Sequence, residues 1–231
     1  MSWHDKQSIE QILKLKDKYK MSTFVETGVF KGVNVRLHSF YWDVVRSCDI
    51  SKEHISIAKE YVSDRDNVFI EKSNSADFLR NFVDKYNRDG RSDIVFIYLD
   101  AHFYNSIVSE RWVVLKELAS LKGFKNCVIV MHDFDCCGLG HLCYDGEHFG
   151  FPLILDSIRA VNPDIHMYVN TKDMCEIYDE ETILERKELI INENVLDNVR
   201  FTNSCDRLKY RGILYCTPTE LDLEVFNLRK A

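Results

Sequence analysis

The sequence predicts an α/β fold: a Rossmann-like, mostly parallel sheet of seven strands with helices on both faces. Three observations carry this. Short β-prone runs alternate with amphipathic stretches over about 150 residues, the pattern of repeated βαβ units. Two of the runs, "DIVFIYLD" (93–100) and "CVIVMHD" (127–133), are almost continuously apolar, as strands buried on both faces must be. A glycine-bearing turn closes the first strand in "FVETGVFKG" (24–32).

Residues 8–20 are expected as the first helix, with Ser8 and Gln11 as a capping box and Ile9, Ile12 and Leu13 as its apolar stripe. "TFVET" is the first strand, and a helix runs from about Gly32 to Tyr41. "VRSCDI" is the second strand, and Ser51 caps a helix that places Ile55, Ala58 and Val62 on one face. "NVFIEK" is the third, followed by a helix over 75–86 carrying Phe78, Leu79, Phe82 and Val83. The two apolar runs are the fourth and fifth strands, with a helix near 107–121 between them. The segment 134–149 is rich in glycine and cysteine and is expected as a loop. A helix near 151–161 and the strands "IHMYVN" and "GILYCT" complete a single domain. Between those strands lies a charged insertion, 171–210, containing "DEETILERKEL"; it is expected to contact the acceptor or to pair two subunits as a homodimer.

Composition narrows the function. The 231 residues carry a net charge of −7, which opposes a nucleic-acid or anionic-membrane partner, since phosphate contacts need a basic surface. The basic run "KLKDKYK" is read as the wet face of the first helix. No apolar run approaches the ~18 residues of a membrane span, and "MSWHDKQSIEQ" has no apolar signal core. A cytoplasmic protein with eight reduced cysteines is expected.

In a parallel α/β sheet, ligands bind beyond the carboxyl ends of the strands, near the point where strand order reverses. The turn after the first strand stands there. Gly28 permits the tight turn, and Gly32 lets the next helix begin close to the ligand. The three-glycine dinucleotide fingerprint is absent, so pyrophosphate has a poor cradle, and Glu26 would repel it. A cationic ligand without phosphate suits the turn better. S-adenosyl-L-methionine, with its ammonium and sulfonium, is such a ligand. Asp49, at the end of the second strand, stands where an acid accepts hydrogen bonds from ribose hydroxyls. Ser75 and Asp77, after the third strand, are in reach of the adenine edge.

"FVETGVFKGVNV" resembles the first motif of class I S-adenosylmethionine-dependent methyltransferases, in the form found in macrocin-type sugar O-methyltransferases. The resemblance covers roughly residues 22–135. It implies cofactor-binding positions at Glu26, Thr27, Gly28, Gly32 and Asp49, an acceptor hydroxyl on a sugar or glycan, and assistance by Mg2+; the residues present here would also suit Mn2+. In that family the fourth strand is followed by Asp-x-Asp and the fifth by Asp-Asp, which hold the metal and supply a base. Here the pairs are Asp100 with His102 and His132 with Asp133. Asp100, His132 and Asp133 are therefore the expected metal ligands, with Asp100 also beside the cofactor. His102 inherits the base position, and His132 is a second candidate base. A mixed carboxylate and imidazole set also suits Fe2+ or Zn2+, and an imidazole base can work without metal.

Two further patterns stand out. "CCGLGHLC" sets Cys136, Cys137, His141 and Cys143 within eight residues, but adjacent cysteines make an awkward start to a zinc knuckle, and a loop of reduced thiols that covers the acceptor is the simpler reading. Phe103 and Tyr104 either stack on the acceptor or fill the core. Tyr144, Asp145 and His148 suit a sugar ring. Three alternatives remain beside the sugar enzyme: a catechol-like O-methyltransferase, a metal-dependent glycosyltransferase using Asp133-x-Asp135, and a non-catalytic protein on the same fold.

Overall fold

A fourteen-residue helix, α1 (Lys6–Tyr19), leads into β1 (Thr23–Thr27) in the computed structural model, which describes residues 6–101, 111–135, 143–144, 147–169, 212–226 and 228–230. Then follow α2 (Val33–Ser39), β2 (Val44–Asp49), α3 (Lys52–Tyr61), β3 (Val68–Lys72), α4 (Ser75–Arg88), β4 (Val95–Leu99), α5 (Val113–Ser120) and β5 (Cys127–His132). A small hairpin, β6 (Cys143–Tyr144) and β7 (Glu147–His148), precedes α6 (Phe151–Val161), β8 (His166–Val169), β9 (Ile213–Thr217), α7 (Leu223–Phe226) and β10 (Arg229–Lys230).

The main sheet runs β10-β8-β9-β5-β4-β1-β2-β3. The five strands from β3 to β5 pair in parallel, while β9 is antiparallel to both β5 and β8. These are the seven expected strands, with the two-residue β10 added at one edge. Chain order reverses between β1 and β4, so a crevice opens at their carboxyl ends.

Alternation along the strands feeds two cores. Val25, Ile97 and Ile129 pack toward Phe78 and Leu79 of α4, Leu118 of α5 and Ile154 of α6. Phe24, Phe96 and Val128 pack toward Ile12 of α1, Val35 of α2 and Ala58 of α3. Strands β1, β4 and β5 are buried at every position, as the unbroken apolar runs of β4 and β5 foretold for those two. Each fully buried aliphatic or aromatic side chain here contributes roughly 1.5–3 kcal/mol.

Helix ends follow local chemistry. Ser51 caps α3 by accepting the amide of His54 at 3.2 Å, as expected. The expected cap of α1 is different: the helix already includes Lys6, so Ser8 lies within it and is buried. Gln11 does not fold back on that cap; its amide donates to the Phe226 carbonyl at 2.8 Å. With Lys14 on the Val225 carbonyl, this ties α1 to α7. The loop expected over 134–149 contains the β6–β7 hairpin. The insertion 171–210 lies outside the described residues. No described helix is long and apolar enough to cross a membrane.

Candidate active site

Glu26, fourth in β1, has no exposed surface. Ser47 Oγ donates to its Oε2 at 2.8 Å and Asn34 Nδ2 donates to Oε1. Burial pushes its carboxyl up to about 8, against the pull of the Asn34 and Ser47 hydrogen bonds and with help from the charges of Asp100 and Asp49. The carboxylate thus stands at the junction of β1, β2 and α2.

The turn after β1 is fastened to β2: the amides of Gly28 and Val29 both donate to the Cys48 carbonyl, at 3.0 and 2.9 Å. Gly28 has φ +84°, and a Cβ there would stand 3.0 Å from the Asp100 carbonyl oxygen and 3.1 Å from Ala101 Cα. The glycine lets the end of β1 pass against the end of β4. Thr27 is buried, and its Oγ1 accepts the Asp100 amide at 3.2 Å. Gly32, also at φ +84°, serves a helix contact: a Cβ there would meet Ala58 of α3 at 2.9 Å.

Asp49 ends β2 and knits two loops together. Its Oδ1 accepts the Ser51 amide at 2.8 Å; its Oδ2 accepts the Phe30 amide at 3.0 Å and lies 3.3 Å from His54 Nδ1. The next residue, Ile50, is 51% exposed. It is an exposed apolar side chain next to a strand-end acid, a pattern the sequence reading did not single out. Ser75 is buried in the first turn of α4. Asp77 forms a reciprocal cap with Asn74: its amide donates to Asn74 Oδ1 at 2.9 Å, and Asn74 Nδ2 donates back to the carboxylate. Arg80 pairs with the same carboxylate at 2.7 Å. The Asn74 hydrogen bond and Arg80 hold that carboxyl below its ordinary range, against slight desolvation.

The strand ends β4 and β5 gather the second cluster. Leu99 and Met131 are the last paired residues, so Asp100 and His132 emerge side by side. His132 Nδ1 lies 3.6 Å from Asp100 Oδ1 and 2.8 Å from Asp133 Oδ1. All three side chains are at most 7% exposed, and their donor atoms lie within 4.8 Å of one another. Asp133 is the closer partner of the imidazole and Asp100 the more distant one. Burial works against the imidazolium, yet the charge of Asp133 and the closeness of Asp100 outweigh it and raise the His132 pKa above the ordinary value. Asp133 adopts φ +64°, a left-handed conformation that turns its carboxylate back toward His132. Two buried carboxylates and an imidazole, gathered within 4.8 Å, form a donor set that fits a divalent cation.

His102, the expected base, lies outside the described residues, as do Phe103, Tyr104, Cys136, Cys137, His141 and Asp145. Asp135 does not join the cluster; its carboxylate lies 3.5 Å from His148 Nδ1 on β7.

No protein-family model matches the chain, and no curated protein matches it. Solved structures do. One is an S-adenosylmethionine-dependent methyltransferase from Anabaena variabilis ATCC 29413, with TM-score 0.50 and 12% identity, covering 91% of this chain and 83% of that one. Another is a candidate O-methyltransferase from Klebsiella pneumoniae, with TM-score 0.50 and 10% identity, covering 94% of this chain and 83% of that one. The chain shares their fold, the class I methyltransferase fold.

Proposed function

We propose that the chain is an S-adenosyl-L-methionine-dependent O-methyltransferase whose acceptor is a hydroxyl of a sugar or glycan. One observation carries the cofactor part of this reading: Asp49 with the exposed Ile50, and the Asp100, His132 and Asp133 cluster, stand at strand carboxyl ends on either side of the β1–β4 crevice, while the sugar acceptor rests on the resemblance of the first motif, residues 24–35. In this reading Asp49 accepts from the ribose hydroxyls and Ile50 packs on the adenine face. When bound, S-adenosyl-L-methionine supplies an activated methyl group on its sulfonium. The protein has to hold an acceptor oxygen in line with that methyl and take the hydroxyl proton. His132, kept basic by its two carboxylates, suits the second task. His102, two residues beyond Asp100, is proposed for the same task.

With His132 neutral and ligating, the same three residues would instead hold a divalent cation, which would make the acceptor hydroxyl more acidic and leave proton removal to His102. The single imidazole favours Mn2+ over Mg2+. The glycosyltransferase reading has less support, because Asp135 stands with His148 and not with Asp133 at the cluster. Incubation with S-adenosylmethionine labelled in the methyl group, against panels of sugar, catechol and amine acceptors, tests the proposal. Label in an alkali-stable ether of a sugar supports it. Label only in amines would overturn the oxygen chemistry, and label only in catechols the acceptor class.

A further inference from the structure

We infer that His54 is a latch on Asp49, occupying a hydrogen-bonding position that the cofactor's ribose must take; the inference rests on the cofactor reading above. A carboxylate offers about four lone-pair directions. Three are filled on Asp49: Oδ1 by the Ser51 amide at 2.8 Å, and Oδ2 by the Phe30 amide at 3.0 Å and His54 Nδ1 at 3.3 Å. The carboxylate only accepts, so Nδ1 carries the proton in this contact. One direction remains on Oδ1, whereas a ribose diol grips a carboxylate with two donors.

One of the three occupants has to leave. Two are backbone amides that cannot withdraw without dismantling the turn after β1 or the start of α3, where Ser51 is already the cap. His54 is the only occupant on a rotatable side chain, its contact is the longest, and its side chain is 34% exposed, so it has water to swing into. In place, it leaves the Asp49 side chain 11% exposed. The edge of its ring rests on Phe30, with centroids 4.7 Å apart, which keeps the latch closed without ligand. Binding then has to open a contact that the free protein makes, and the apparent affinity falls by the fraction of molecules in the open state.

Calorimetric titration with S-adenosylhomocysteine tests this on the wild type, His54→Ala and His54→Phe. The phenylalanine keeps the ring packing on Phe30 and removes only the donor. Both variants are expected to bind about two- to fivefold tighter, the weight of a partly exposed charge-assisted contact. In competition against S-adenosylhomocysteine, adenosine should gain affinity in His54→Phe, and 2′,3′-dideoxyadenosine, which lacks the diol, should not. Unchanged or weaker binding in both variants overturns the latch, and so does an equal gain for both nucleosides. Failure of the wild type and both variants to bind S-adenosylhomocysteine removes instead the cofactor reading beneath it.

Discussion

Thr27 Oγ1 accepts the backbone amide of Asp100 at 3.2 Å, one residue beyond the last rung of the β1–β4 ladder. With Gly28 packed against the Asp100 carbonyl, the end of β1 fixes the residue that stands 3.6 Å from His132. Thr27→Val removes the acceptor and keeps the shape. Its turnover is expected to fall about tenfold, the scale of a small misplacement at a reacting centre, with S-adenosylhomocysteine affinity within about twofold of wild type. Thr27→Ser should restore most of the rate. Steady-state kinetics beside calorimetry checks the split.

Glu26 has an ordinary value of 4.5 and is raised by burial to about 8 in the fold. Between those pH values the native state keeps a proton that the unfolded chain gives up. The stabilisation is fully present below pH 4.5 and is lost as pH rises through 8. Glu26→Gln keeps the hydrogen-bonding shape without the charge. Urea denaturation is expected to show the variant gaining on wild type by on the order of a few kcal/mol between pH 5 and pH 8.5. A difference that does not change with pH would contradict the assignment.

Gly32 and Gly90 both have positive φ, but only Gly32 has backbone in the way: a Cβ there meets Ala58 Cα at 2.9 Å, while one at Gly90 meets nothing within 4 Å. Gly32→Ala is expected to cost about 2–4 kcal/mol by strain and overpacking. Gly90→Ala should cost about 1 kcal/mol, from the left-handed backbone alone. Thermal and chemical denaturation of the pair measures the difference.

The parallel half of the sheet was legible because β4 and β5 are unbroken apolar runs and Ser51 is a cap in the expected place. Insertion of β9 between β5 and β8 was not, because "GILYCT" reads as a strand without naming its partner. The closeness of Asp100, His132 and Asp133 was legible because strand-end positions in adjacent parallel strands converge by register. Side-chain direction was harder to read. Nothing local in "VET" says that Glu26 is sealed by Ser47 and Asn34, since both arrive from other elements. Gly32 looked like a ligand-side glycine because its neighbour Ala58 is 26 residues away in sequence. Asp77 and Ser75 open a helix whose capping chemistry accounts for Asp77 without a ligand.

The buried cluster should hold Mn2+ through His132. In electron paramagnetic resonance titrations of free Mn2+, His132→Ala is expected to weaken binding about tenfold or more, while Asp49→Ala leaves it unchanged. Mn2+ affinity that survives His132→Ala would leave that residue only a proton-transfer role.

The β1–β4 crevice is proposed as a cofactor site for S-adenosyl-L-methionine. Calorimetric titration with S-adenosylhomocysteine addresses it most directly, with NAD+ and a UDP-sugar as controls, each with and without Mg2+ or Mn2+. Micromolar binding of S-adenosylhomocysteine, lost in Asp49→Ala, is expected, with no binding of either control. Metal-dependent binding of the UDP-sugar with none of S-adenosylhomocysteine would contradict this proposal and turn attention to Asp133 and Asp135.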